Sequence, residues 1–168
     1  MRSRILVTVG TQLPFDRLVG AVDSWAGGRS DIDGFAQIGA GAAPRHLTHA
    51  VSVDPDDFAG RLAAADLVVA HAGMGTILTA LDLGKPVVVM PRRADLGEHR
   101  NEHQRATVAR LAHLAALHVV EDAASLASTL EGLLAPDAVV GARPAPSPAL
   151  ETLVTSVAAF VAGGLQPC

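Results

Sequence analysis

The chain has 168 residues, within the ~100–200 residues of a single domain, and enough to bury a self-standing core. Hydrophobic residues make up 49% and charged ones 18%, a balance that excludes disorder. Net charge is −4 with no run of Lys or Arg, so the electrostatic footprint of a nucleic-acid binder is missing.

In chain order, residues 5–9 (Ile-Leu-Val-Thr-Val) form a β-branched apolar run closed by Gly10, which predicts a buried strand. Pro14 is then expected to open a helix over 15–25, stopped by Gly27 and Gly28. Strands are predicted at 34–38 and 50–53, and Asp54-Pro55 starts a second helix. A strand at 67–70, a helix at 75–83 and a strand at 86–90 make a compact βαβ unit. A charged loop covers 91–100, followed by a helix at 102–116, a strand at 117–120 and a helix at 123–134. Residues 1–135 are thus expected to form one domain, 136–148 a Pro-rich linker, and 149–168 an amphipathic helix (149–161) with a tail. Apolar runs break well short of the ~20 residues of a membrane span. Residues 5–9 are likewise too short for a leader's apolar core of ~7–15. The single cysteine, Cys168, has no internal disulfide partner, which suits a cytoplasmic protein.

Strands that are apolar throughout belong to a sheet covered on both faces, hence parallel, and the strand–helix alternation agrees. The expected fold is α/β and Rossmann-like, a doubly wound and mainly parallel sheet. Its ligand should lie beyond the C-terminal strand ends, at the point where strand order reverses. The loops 10–15, 71–75 and 91–103 leave those ends and are the richest in Gly and polar residues.

Gly10, Thr11 and Gln12 join a strand to a helix and suit either anion reception or an ordinary capped turn. His71-Ala-Gly-Met-Gly-Thr76 is the sharper motif. Gly73, Met74, Gly75 and Thr76 open a helix and could aim successive amides at a phosphate. It is neither a P-loop nor a GxGxxG fingerprint. His71 at the cleft mouth is a structural residue or a catalytic candidate. In the third cluster, His99, Glu102 and His103 match H-x-x-E-H, the pattern of a zinc hydrolase. Equally, Glu102, His103 and Gln104 could hold sugar hydroxyls, or simply form a solvated helix start. Arg92-Arg93 reads as a solvated loop pair or a phosphate clamp.

These motifs resemble the glycosyltransferase family 28 C-terminal domain. Residues 7–12 (Val-Thr-Val-Gly-Thr-Gln) with 14–18, residues 71–76, Ala80-Leu81, Gly84-Lys-Pro86, Met90-Pro-Arg92, and 97–99 through 102–104 carry the resemblance, over residues 4 to 134. The nearest subgroup is the small single-domain one, which includes the catalytic subunit of the dolichol-linked N-acetylglucosamine transferase and bacterial exopolysaccharide glycosyltransferase subunits. The resemblance implies the donor-binding half of an inverting GT-B hexosyltransferase, with a UDP-sugar as substrate and no metal or cofactor. Gly10, Thr11 and Gln12 would face the diphosphate or sugar, and Gly73, Met74, Gly75 and Thr76 the diphosphate. Glu102, His103 and Gln104 would hold the sugar. The acceptor base would be His71 or a partner residue. The wider family has a ribose-gripping acid where this chain has Thr79, a departure that keeps a non-catalytic nucleotide-sugar-binding module as the alternative. It implies a heterodimer with a membrane-associated, acceptor-binding subunit, a lipid-linked acceptor in polysaccharide biosynthesis, and a cytoplasmic chain held peripherally at the inner membrane face.

Overall fold

In the computed structural model, the described residues are 2–100, 104, 108–109, 111 and 113–135. Among them, β1 (Ser3–Thr8), β2 (Ile32–Gln37), β3 (Thr48–Ala50), β4 (Leu67–His71), β5 (Val87–Met90) and β6 (Leu117–Val119) form one sheet. Every pairing is parallel, in the order β3-β2-β1-β4-β5-β6. Helices α1 (Asp16–Ala26), α2 (Pro55–Ala64), α3 (Met74–Asp82) and α4 (Ala123–Leu134) flank it. The expected α/β doubly wound, Rossmann-like architecture is what the chain adopts.

The alternation of side chains along a strand divides the core in two. Ile5 and Val7 of β1, Leu67 and Val69 of β4, and Val88 and Met90 of β5 join Leu18 and Val22 of α1 and Leu126 and Leu130 of α4. On the other face, Leu6, Val68, Ala70, Val87 and Val89 join Leu62, Ile77, Leu81, Val108 and Leu111. Both faces being covered explains why these strands read as unbroken apolar runs.

Helix starts are chosen by local chemistry. The Asp54 carboxylate accepts from the amides of Asp56 (3.1 Å) and Asp57 (3.0 Å), and Pro55 occupies the first turn. Asp122 and Ser125 form a reciprocal capping box on α4. Helix α1 begins one residue later than Pro14 implied. Phe15 is its cap, buried under the sheet end, and its carbonyl accepts from Leu18 and Val19 (both 3.1 Å).

Two expectations need correction. The third strand is Thr48–Ala50, earlier than 50–53, because its register is set by Phe35 opposite Thr48. As an edge strand it is polar, and Val51 beyond it is 63% exposed. The helix expected to reach 116 has ended by His113, with 113–116 in a turn. The Ala116 carbonyl is already engaged by the Val87 amide (2.8 Å), so the chain is entering β6 there. Helix α4 matches its predicted bounds. The linker and terminal helix expected beyond residue 135 lie outside the described residues. No described helix is long and apolar enough to cross a membrane.

Candidate functional site

Chain order runs outward from β1 through β2 to β3, then returns to the other side of β1 as β4. The chain leaves β1 for α1 on one face and β4 for α3 on the other, so a crevice opens between their C-terminal ends. A cleft of about 330 Å³ lies there, lined by Gly10, Thr11, Gln12 and Leu13 after β1, and by His71, Gly73, Gly75 and Thr76 at β4–α3. Arg92, His99 and Gln104 complete it from the segment after β5. The three loops singled out in the sequence do converge.

Helix α3 meets this cleft with its N-terminus bare. Its cap, Gly73, has no side-chain hydrogen bond to offer, and no acidic residue lies in the first turn. The Ile77 amide returns to the Gly73 carbonyl (3.2 Å), so the amides of Met74, Gly75 and Thr76 precede the first helical bond. Such a terminus carries a partial positive charge and unpaired donors, a ready anion seat. Apart from its chain neighbours and its own helix backbone, none of the described residues lies within 4 Å of the position a Cβ on Gly75 would take.

The other glycines serve a neighbour within the chain. Gly10 has φ +76°, and a Cβ there would lie 2.6 Å from His71 Cε1. A Cβ on Gly73 would overlap His71 Nε2. The imidazole is thus wedged between two loop backbones, and both glycines are the room it needs. His71 Nδ1 is buried without a hydrogen-bond partner. Burial, then the Arg92 charge and that of His99, push the His71 pKa down to about 4 against a weaker pull from the Thr8 backbone. The ring is neutral at pH 7.

Two polar tethers escaped the sequence reading. Buried Gln37 accepts from the Thr8 hydroxyl (2.7 Å) and donates to the carbonyls of Gly10 (3.0 Å) and Val51 (3.3 Å). It ties the ends of β1, β2 and β3 together. Arg92, read as half of a solvated pair, is instead 2% exposed, with four backbone carbonyls around its guanidinium. Neither has a local signal, since a lone Gln in a strand or one Arg in a charged loop is ordinary. Arg93 does face outward, paired with Asp95 (2.5 Å).

Glu98 organises the third loop. It binds Arg17 through both oxygens (2.7 and 2.8 Å) and accepts from the Arg93 amide (2.9 Å). Burial opposes its charge, but Arg17, the Arg93 amide and the Arg92 charge outweigh burial and hold its pKa below the usual range. Gln104 Oε1 accepts from the Arg92 amide (3.0 Å), which leaves its NH₂ as the end a ligand would meet. Met74 packs its side chain against the second core face, so only its backbone is left for the cleft. Glu102 and His103 lie outside the described residues, so the zinc pattern His99, Glu102, His103 has only His99 placed, at the cleft wall.

A second cavity of about 460 Å³ adjoins the first across Gly10–Leu13 and Thr76. Val51, Val53, Pro55 and Phe58 give it an apolar wall, with Gln37 and Ser52 as polar points. Gly39 and Ala40, which carried no signal in the sequence, line it too.

Residues 4–147 match the glycosyltransferase family 28 C-terminal domain. The chain belongs to that family. It is 32% identical over 115 residues to the UDP-N-acetylglucosamine transferase subunit ALG13 of Yarrowia lipolytica (strain CLIB 122 / E 150), an alignment covering 58% of this chain and 57% of that one. The chain thus spans little more than half the length of this curated relative. Among solved structures, the glycotransferase of kitacinnamycin superposes with a TM-score of 0.65 at 23% identity, covering 94% of this chain and 40% of that one. The solution structure of ALG13 superposes at 0.58 with 16% identity, covering 90% and 94%. These likenesses show that the chain has the Rossmann-like α/β fold found in part of the kitacinnamycin glycotransferase and over nearly all of ALG13.

Proposed function

We propose that the chain is the donor-binding subunit of a glycosyltransferase that binds a UDP-sugar and passes the sugar to an acceptor held by a second polypeptide. One observation carries this reading: the uncapped start of α3 opens onto a cleft at the reversal point of the sheet, with Gly75 in its lining. The diphosphate would sit on the amides of Met74, Gly75 and Thr76. The apolar cavity beside Val51, Val53 and Phe58 suits the nucleoside, and the arm reaching His99 and Gln104 suits the sugar. Each cavity falls in the ~300–1,000 Å³ range of small-ligand sites.

The reading includes transfer with inversion and without metal or cofactor, and the amides at the start of α3 are what supports it. Negative charge grows on the departing nucleoside diphosphate, and preorganised amides at a helix start stabilise charge that develops there. His71 suits holding and spacing rather than proton abstraction, because an imidazole with a pKa of about 4 is a weak base at neutral pH. The acceptor's base is therefore assigned to the partner half. The name of the curated relative, a transferase subunit, supports a two-chain arrangement; a membrane-associated partner with a lipid-linked acceptor is part of the proposal. Thr79 donates to the Gly75 carbonyl (2.8 Å), so toward a ribose it can act only as an acceptor.

Calorimetry with UDP and UDP-N-acetylglucosamine tests the reading, and a chain that binds neither, nor any other nucleoside diphosphate, would overturn it. Gln104→Ala is expected to weaken the UDP-sugar more than UDP, and equal losses would remove Gln104 from the sugar. Sustained sugar transfer on adding the acceptor-half protein would exclude a non-catalytic module.

A further inference from the structure

The cleft floor holds a cation that the proposed function does not use. Arg92 leaves β5 through Pro91 and lines the cleft while remaining almost fully buried. Its guanidinium donates to the carbonyls of Val9 (2.9 Å), Leu13 (2.6 Å), Pro14 (2.5 Å) and, at longer range, Glu98 (3.4 Å). The Phe15 ring lies 4.6 Å away. Neutral carbonyls and an aromatic face replace the water such a cation loses, yet they do not cancel its charge. The carboxylate beside it, Glu98, is engaged in both oxygens by Arg17. Arg17, Glu98 and Arg92 together therefore leave one net positive charge beneath the cleft.

Three of these carbonyls, those of Val9, Leu13 and Pro14, belong to the irregular segment between β1 and α1, which beyond Gly10 has no strand pairing to hold it. An arginine fork spans several acceptors at once, and a lysine cannot.

We infer that Arg92 is a positioning residue of the donor cleft: it fixes the loop after β1 against the end of β5 and biases the cleft toward a diphosphate. The inference rests on the donor reading above. Its charge, with that of His99, also faces the His71 imidazole and disfavours protonation there, while the Thr8 backbone favours it.

The test uses the full chain with Arg92→Lys and Arg92→Met, and UDP and uridine as probes. One buried, charge-assisted contact set predicts a loss of UDP affinity of about tenfold in Arg92→Lys and about a hundredfold in Arg92→Met, with a distinctly smaller loss for uridine, whose cavity shares with the Arg92 contacts only the loop Gly10–Leu13. Equal losses for both probes would mean that Arg92 only holds the fold, and would overturn the inference. An NMR titration of the His71 imidazole reads the charge without nucleotide. It should move upward from about 4 in Arg92→Met and stay low in Arg92→Lys. An unmoved titration in Arg92→Met also overturns the inference. If the wild-type chain binds no UDP, the donor reading fails, and the titration still decides whether the Arg92 charge reaches the cleft. Should Arg92→Met fail to fold, unchanged UDP affinity in Arg92→Lys is the overturning result.

Discussion

At the scale of single residues, the glycines show how one side chain dictates another's absence. Gly73 has an ordinary negative φ of −93°, so backbone conformation does not demand glycine there. The demand comes from His71, whose ring cannot swing away because Gly10 closes its other side. Gly73→Ala is therefore expected to cost about 1–3 kcal/mol, the usual range for overpacking. In a His71→Ala background the same change should cost little, because the obstructing ring is gone. Denaturant unfolding of the four proteins measures this coupling, and simple additivity would show that the two residues do not compete for space. Gly75 differs, since among the described residues nothing lies near its Cβ position. Gly75→Val should leave stability within about 1 kcal/mol yet abolish UDP binding. Unchanged affinity would move the phosphate elsewhere.

Elements are positioned by their ends as much as by their cores. Asp23 in α1 accepts from the amides of Arg45 (2.9 Å), His46 (2.7 Å) and Leu47 (3.1 Å), fastening the chain just before β3. Burial works against that carboxylate's charge, and the three amides together with His46 more than offset it, so its pKa is lowered. On the opposite side of the sheet's centre, the Asp122–Ser125 box sets the first residue of α4. Asp122→Ala should lower the unfolding midpoint with UDP affinity intact, measured by denaturation and calorimetry side by side. A cost near zero would mean that packing of Leu126 and Leu130 alone fixes the helix. Caps of this kind are local, so Asp54 was legible as a helix start, and the bounds of α4 were legible without its capping residue. The polar edge strand Thr48–Ala50 was not, because only its pairing with β2 makes it a strand.

For the whole molecule, two opposed charge states give stability a defined pH dependence. His71 binds its proton at about 4 when folded and near 6.5 when unfolded, so the unfolded chain holds more protons between those values. Stability from this group is complete above about 6.5 and is lost as pH falls toward 4. It amounts to no more than about 3 kcal/mol, less where the ring edge meets solvent. Glu98 and Asp23, both lowered, add stability that is present above the ordinary carboxylate range and lost below it. Unfolding midpoints should therefore fall in two stages on acidification, with the stage between 6.5 and 4 flattened in His71→Gln. An equal slope in that variant would assign the first stage to another group.

The sequence alone determined the parallel α/β sheet, the Asp54 cap of α2, and the three loops that meet at its centre. Each of these rests on neighbours in the chain: an unbroken apolar run, a carboxylate before a proline, glycines at a strand end. Tertiary structure decided what those loops contain. Gln37 bridging three strand ends, Arg92 gathering the carbonyls of Val9, Leu13 and Pro14, and the pair of glycines that admit His71 join residues far apart in the chain. Periodicity cannot report such contacts, because they exist only once the order of strands has brought the ends of β1, β4 and β5 side by side.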